Sequence, residues 1–455
     1  MIIELCILLY SFLYFYTHGT LDSFVKYSRF GVVVLLMDLL LFCMAQKRVV
    51  TVQTLFLLMF ILFQFGLPIV YAFEPRHYNF YMTLFNEKTL ICAVIYTILA
   101  IQIYIITATC VINRRQENKN ANVGKWTSFI LNHSRDVENA ALLLFMITAV
   151  VAIPVNLWSA VRALSATLPI GNLYRGAMAA NGFTRFFQEF YFSSALLYLC
   201  FTNKKKLKKV VATLYLIVAI SMILVADRSG GVTALIVYAL YWYYSGDERK
   251  KKKNVFLLVG IGILLAIVSA LIANIRSGET NQDGINLLFN ALEEMGFNFT
   301  SQCFVMDYIP SRTSYRYGMS YVVAFILLIP KSLGLGSVYP KLQSYLGETW
   351  LWNANNLYGR NFLSFGVGFS IIAESYYNFS WGGLVVMLPL AGIITYFLKE
   401  NKNENAWSLY IRLALMLSFF TIPRRQFQSV IKAIEYSIFF MTLYLLVYIQ
   451  IEKKG

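Results

Sequence analysis

The residues best suited to do chemistry in this chain are arginines and a few carboxylates that stand where apolar runs give way to polar loops. Arg360, Glu374, Tyr377 and Asn378 fall within residues 358–383, between a long polar loop and a hydrophobic stretch. Glu374 and Asn378 are four apart, so a helix would put them on one face, with Tyr377 close by. A carboxylate there could act as a general base, anchor a sugar hydroxyl, or pair with an arginine for structural reasons.

Asp227-Arg228-Ser229-Gly230-Gly231 joins two apolar runs. Its glycines permit a tight turn and leave backbone N–H groups that favour an anion. The helix from Lys209 to Arg228 would rise roughly 27 Å, slightly less than a bilayer core, which sets the arginine below the far surface. An ionisable residue at that depth marks a functional site, although Asp227 alone would be a sufficient partner. Pro423-Arg424-Arg425-Gln426 puts two arginines together with no acid beside them. Arg175 and Arg276 complete the cationic set, and Glu294 is the next carboxylate after Glu374 in rank. The fixed fork of arginine grips phosphate and carboxylate through paired hydrogen bonds. Snorkelling to headgroups is the simpler role for any one of them. Tyr345, Trp350, Trp352 and Tyr358 offer flat faces for sugar rings, or equally form an interfacial belt.

The elements that must position these groups are membrane helices. Of 455 residues, 58% are hydrophobic and only 14% charged, against about a quarter charged in soluble proteins. Apolar runs long enough to cross a bilayer recur from end to end. The expected fold is an all-α polytopic membrane protein with about 12 transmembrane helices, near 2–17, 29–45, 51–71, 89–111, 138–159, 186–202, 210–226, 230–246, 255–274, 379–398, 408–422 and 430–450, all within one integral membrane domain. The first stretch has no basic residue before it and no small-residue cleavage site after it, and reads as a retained span.

Net charge is +16, yet the lysines sit in short loops, so the signal is topology and not nucleic acid. Lys47-Arg48, Arg114-Arg115 with Lys119 and Lys125, Lys204 to Lys209, Arg249 to Lys253, Lys399 with Lys402, and Lys453-Lys454 all fall on one side. The positive-inside bias makes that side the cytoplasm, with both termini inside. That side carries 16 Lys and 6 Arg; the outer side carries 5 Lys and 12 Arg. The excess of arginine outside favours an anionic ligand there. The loop at 275–378 is by far the longest and is extracytoplasmic in this topology. Within it, 319–329 is apolar but too short to span, and Pro330 ends it, which suits a helix lying in the outer interface.

Several chemistries are disfavoured. There is no Gly-rich P-loop for ATP, and no Asp-x-Asp pair on an outer loop for a metal-dependent transferase. His18, His77 and His133 are scattered, and none lies in the long loop. The six cysteines have no disulfide or metal spacing, and Cys303 reads as a small buried hydrophobe. No cofactor is expected.

The chain resembles the bacterial oligosaccharide repeat-unit polymerases, the Wzy-type proteins of O-antigen and capsule synthesis. The resemblance is carried by the Asp-Arg-Ser-Gly-Gly hairpin, by Glu294-Met-Gly-Phe through Tyr308-Ile-Pro with Tyr317-Gly-Met-Ser-Tyr321 and Leu328-Ile-Pro-Lys331, and by Arg360 with Ile371-Ile-Ala-Glu-Ser-Tyr-Tyr-Asn-Phe-Ser-Trp-Gly-Gly383. Ser380-Trp381 stands where the family commonly has a Gly. The resemblance implies a fold similar to the lipid-dependent, GT-C-like membrane glycosyltransferases. It implies transfer of a glycan from undecaprenyl diphosphate to a sugar hydroxyl of a second undecaprenyl-diphosphate-linked oligosaccharide, at the outer face of the cytoplasmic membrane. Arg228, Arg360 and Arg425 would then hold diphosphates, with Arg175, Arg276 and Arg424 behind them. Glu374, and next Glu294, would activate or orient the acceptor. Besides the lipid bilayer, a chain-length regulator and a flippase are the implied partners, with no nucleic acid. An O-antigen ligase and a lipid-linked oligosaccharide flippase are the alternatives. The ligases generally use a His in the long outer loop, and such transporters usually show two related halves.

Overall fold

The computed structural model describes residues 1–18, 23–46, 51–74, 84–114, 125–165, 182–224, 228–245, 284–329, 336–357, 368–398 and 404–452. Among these residues there are helices and no strands. The first half holds α1 (Ile2–Thr17), α2 (Phe24–Ala45), α3 (Val52–Phe73), α4 (Glu87–Arg114), α5 (Lys125–Asn132), α6 (Ser134–Ser165), α7 (Gly182–Phe201), α8 (Lys205–Leu224) and α9 (Arg228–Ser245). The second half holds α10 (Gly284–Gly296), α11 (Asn298–Tyr308), α12 (Met319–Ile326), α13 (Tyr339–Gln343), α14 (Gly347–Leu357), α15 (Ile371–Phe379), α16 (Met387–Leu398), α17 (Ala406–Phe419), α18 (Phe427–Ile434) and α19 (Met441–Glu452).

Seven helical stretches are long and apolar enough to cross a membrane: Phe24–Ala45, Val52–Phe73, Glu87–Arg114, Ser134–Arg162, Lys205–Leu224, Ile371–Leu398 and Phe427–Glu452. Ile2–Thr17, Phe190–Phe201 and Ala406–Phe419 are shorter apolar helices. The expected span at 255–274 lies outside the described residues. Capping side chains fix several helix starts. Thr51 accepts from the Thr54 N–H at 3.0 Å, Asn86 from Thr89 at 2.8 Å and Asn405 from Ser408 at 2.8 Å, each satisfying an N–H with no partner inside its helix.

The chain divides into two compact units. The first comprises 1–119, 280–399 and 422–431. Its centre is α4, of whose apolar window 78% is buried, against 33% for α2. Tyr96, Ile98, Ala100, Ile101 and Ile105 of α4 are fully enclosed, as are Phe56, Phe60 and Phe65 of α3. Helix α10 meets α3 where two glycines face each other. A Cβ on Gly66 would lie 3.0 Å from the Gly296 Cα, so the backbones touch and only glycine fits.

The second unit comprises 120–279, 400–421 and 432–455. Within it α6 packs along α7 and α8, and α8 along α9. Two of its buried or half-buried carboxylates are paired. Arg412 of α17 lies 3.0 Å from Glu404, both largely buried, and its guanidinium stands 5.4 Å from the centre of the Tyr244 ring. Glu138 pairs with Lys204 at 3.3 Å and accepts from the Thr202 hydroxyl at 2.9 Å.

Candidate functional site

Helix α15 carries the segment singled out in the sequence. It begins at Ile371, well before the span expected from 379. Ser370 caps it, its hydroxyl oxygen accepting from the Ala373 N–H at 3.1 Å. Residues 371–378 mix polar and apolar side chains. All eight are buried, the polar ones included. A buried polar group is stable only when paired, so the partners of Glu374, Ser375, Tyr377 and Asn378 define what α15 holds.

Ser375 shares a hydrogen bond with Tyr96 of α4 at 2.8 Å. Asn378 donates to the Ser320 hydroxyl and to the Glu374 carbonyl, each at 2.8 Å, and its Oδ1 accepts from the Gly318 N–H at 3.0 Å. The Glu374 carboxylate is fully buried. Its Oε1 accepts from the Ser320 hydroxyl at 2.7 Å, and its Oε2 from the Phe427 N–H, also at 2.7 Å. Each oxygen therefore holds a different chain segment.

The first held segment is 316–321. Tyr317 and Gly318 take left-handed backbone conformations, φ 48° and 84°, turning the chain over the end of α15. The Arg316 and Tyr317 N–H groups donate to the carbonyls of Tyr377 and Asn378 at 3.1 and 3.0 Å, closing orphan carbonyls at the helix C-terminus. The half-buried Arg316 donates from Nε to the Tyr377 hydroxyl at 2.9 Å. Its guanidinium carbon lies 5.6 Å from the Tyr377 ring centre and 5.7 Å from that of Tyr345. Trp350 packs on Tyr377 at 5.2 Å. Four residues earlier, Arg312 stands 5.0 Å from the Tyr308 ring centre.

The second held segment is the turn 423–426, which bears Arg424 and Arg425, both half-buried. The Pro423 carbonyl accepts from the side-chain amide of Asn298 at 3.1 Å and from that of Gln64. The buried Gln426 amide oxygen accepts from the Glu348 N–H at 3.0 Å. Gly368, at φ 73°, lies against the turn. A Cβ there would come 2.8 Å from the Arg424 carbonyl and 2.7 Å from Asn298 Oδ1. Both ends of the two-arginine turn are thus fixed before Phe427 binds Glu374.

Of the residues expected from sequence, the structure brings together Glu374, Tyr377, Asn378, Arg424 and Arg425. Glu294 is half-buried on α10 in the same unit. Arg175, Arg276 and Arg360 lie outside the described residues. Arg228 begins α9 in the second unit, and its side chain is likewise outside them. Trp350 is buried and Trp352 exposed. The sequence reading did not single out Arg316 or Arg312. The signal was adjacent, since the Tyr317-Gly-Met-Ser-Tyr321 segment starts one residue after Arg316.

Among the described residues no three His, Cys, Asp or Glu side chains are grouped to hold a metal ion. Positive charge in the described part of this site comes from arginine, set beside aromatic faces and buried hydrogen-bonding groups. Arginine beside aromatic faces is chemistry that suits an anion.

A family model described as "O-antigen polysaccharide polymerase Wzy" matches residues 1–454. No curated protein and no solved structure matches the chain.

Proposed function

Because the chain belongs to the O-antigen polysaccharide polymerase Wzy family, we propose that it joins undecaprenyl-diphosphate-linked repeat units on the outer face of the cytoplasmic membrane. The growing glycan leaves one lipid diphosphate and is transferred to a terminal sugar hydroxyl of a second lipid-linked unit. The bond from the anomeric carbon to the diphosphate oxygen breaks, and one to the acceptor oxygen forms. The acceptor proton is released, and the leaving diphosphate takes up the electron pair. No nucleotide is consumed, since the diphosphate is the leaving group.

The observation that carries this reading is the convergence on Glu374. Two segments that bear the family resemblance, Tyr317–Tyr321 and Ile371–Gly383, are bound to each other through Ser320, Glu374 and Asn378, and the same carboxylate fixes the Arg424–Arg425 turn. Arginines at that site suit the negative charge that develops on the departing diphosphate. Arg425 is the described candidate for this role, with Arg228 and Arg360 beside it in the assignment and Arg175, Arg276 and Arg424 in support. Glu374 acts here by orienting the two segments that face the substrates, because both its oxygens are already engaged by donors. Glu294 remains a candidate acceptor contact. The reading includes twelve spans, both termini in the cytoplasm, a GT-C-like arrangement, metal-independent transfer, and cooperation with a chain-length regulator and a flippase.

The test is purified protein in liposomes with the lipid-linked repeat unit, chelator and no nucleotide. A ladder of lengthened lipid-linked products supports the reading. Movement of the lipid across the bilayer without lengthening favours transport instead.

A further inference from the structure

We propose that Arg316 is a substrate-binding residue that grips an oxyanion of the lipid-linked substrate with its Nη edge. The inference rests on the polymerase reading above and adds to it a cation outside the set expected from sequence.

Of the five N–H donors on a guanidinium, the one on Nε is spent on the Tyr377 hydroxyl at 2.9 Å. The guanidinium carbon stands over the Tyr345 and Tyr377 rings, 5.7 and 5.6 Å from their centres. The backbone beneath is tied to α15 by the Arg316 and Tyr317 N–H groups and by Gly318 to Asn378. These contacts remove the rotamer freedom that an arginine ordinarily loses on binding. What remains is the Nη edge, four donors in the planar fork that fits phosphate or carboxylate oxygens in pairs. No carboxylate among the described residues forms an ion pair with Arg316. Its place beside the C-terminal carbonyls of α15 accounts for a positive charge there. A helix terminus, however, does not require a guanidinium set against two tyrosine rings and hydrogen-bonded to the hydroxyl of one of them. A preorganised, half-buried cation fits an anionic ligand. In a lipid-linked glycan that anion is the diphosphate or, in an acidic repeat unit, a sugar carboxylate.

The experiment uses full-length protein in neutral phosphatidylcholine nanodiscs, which removes anionic headgroups as competitors. Thermal stabilisation is measured with undecaprenyl diphosphate alone and with the glycan freed from its lipid, for wild type, Arg316→Lys and Arg316→Gln. Steady-state chain growth on the intact lipid-linked unit is followed in parallel. If Arg316 grips the diphosphate, both variants need about tenfold or more undecaprenyl diphosphate for half-maximal stabilisation. Their KM rises by a similar factor, and their ligand-free melting temperature stays close to that of wild type. If the anion is a sugar carboxylate, the same loss appears with the freed glycan. Unchanged responses to both ligands overturn the proposal, as does a variant that loses activity only because it melts early; Gly392→Ala, where nothing lies within 4 Å of the added carbon, is the folding control. Wild type that binds these ligands but builds no polymer contradicts the polymerase reading and leaves the Arg316 result to stand or fall on binding.

Discussion

The Phe427 N–H donates to Oε2 of Glu374 at 2.7 Å across 53 residues of sequence, while Oε1 of the same carboxylate accepts from Ser320. One fully buried side chain thereby joins α15, the start of α12 and the start of α18. Glu374→Ala would strand both donors, at a cost of about 2–4 kcal/mol. Ser320→Ala removes one donor to Glu374 and the acceptor of the Asn378 side-chain amide, and costs about 1–3 kcal/mol. The two losses should be non-additive in a double-mutant cycle read by thermal unfolding in detergent. Full additivity would mean that the contacts are independent of one another.

Close backbone contact between α3 and α10 gives a second expectation. A Cβ on Gly296 would lie 2.7 Å from the Gly66 Cα, with no flexible side chain to give way. Gly296→Ala should destabilise by about 1–3 kcal/mol through overpacking, seen as a lowered melting temperature and poor yield. Gly392→Ala, where nothing lies within 4 Å of the added carbon, should behave as wild type.

In the second unit the pair Arg412–Glu404 is withdrawn from water, at 7% and 11% side-chain exposure. Arg412→Ala leaves a buried carboxylate without its cation and should cost about 3–5 kcal/mol. Replacing both residues with Met and Leu should recover much of that loss. Chain-growth activity per folded molecule should change little in either variant, which separates this structural pair from the site arginines.

Cys303 is fully buried on α11, and burial, followed by nearby Asp307, pushes its thiol well above the ordinary range. The neutral thiol is the folded form. Its contribution to stability is constant at neutral pH and declines only as pH rises past the usual thiol range. Native protein should therefore leave Cys303 unlabelled by maleimide at pH 8, with rapid reaction once the chain is unfolded in SDS, measured by mass spectrometry.

The helical class was legible in hydropathy alone, because bilayer burial demands long apolar runs, and a helix within 319–329 was legible from a short apolar stretch ended by Pro330. So was the shared face of Glu374 and Asn378, four residues apart. The carboxylate's role was not legible. Sequence left open a base, a sugar anchor or a structural partner, and only the fold shows that Ser320 and a backbone N–H from 427 occupy both oxygens. Backbone donors have no sequence signature. Arg316 escaped notice for a related reason, since its significance lies in two tyrosines 29 and 61 positions away that clamp it.

The measurement closest to the central claim is chain growth by purified protein reconstituted with lipid-linked repeat unit, without metal or nucleotide, comparing wild type with Arg425→Gln and Glu374→Ala. The account predicts a product ladder from wild type and a loss of about a hundredfold or more in rate for Arg425→Gln with normal folding. It predicts a similar loss for Glu374→Ala, accompanied by loosened packing at 316–321 and 423–427 in hydrogen exchange. Full-length polymer from Arg425→Gln and Glu374→Ala at the wild-type rate would contradict it.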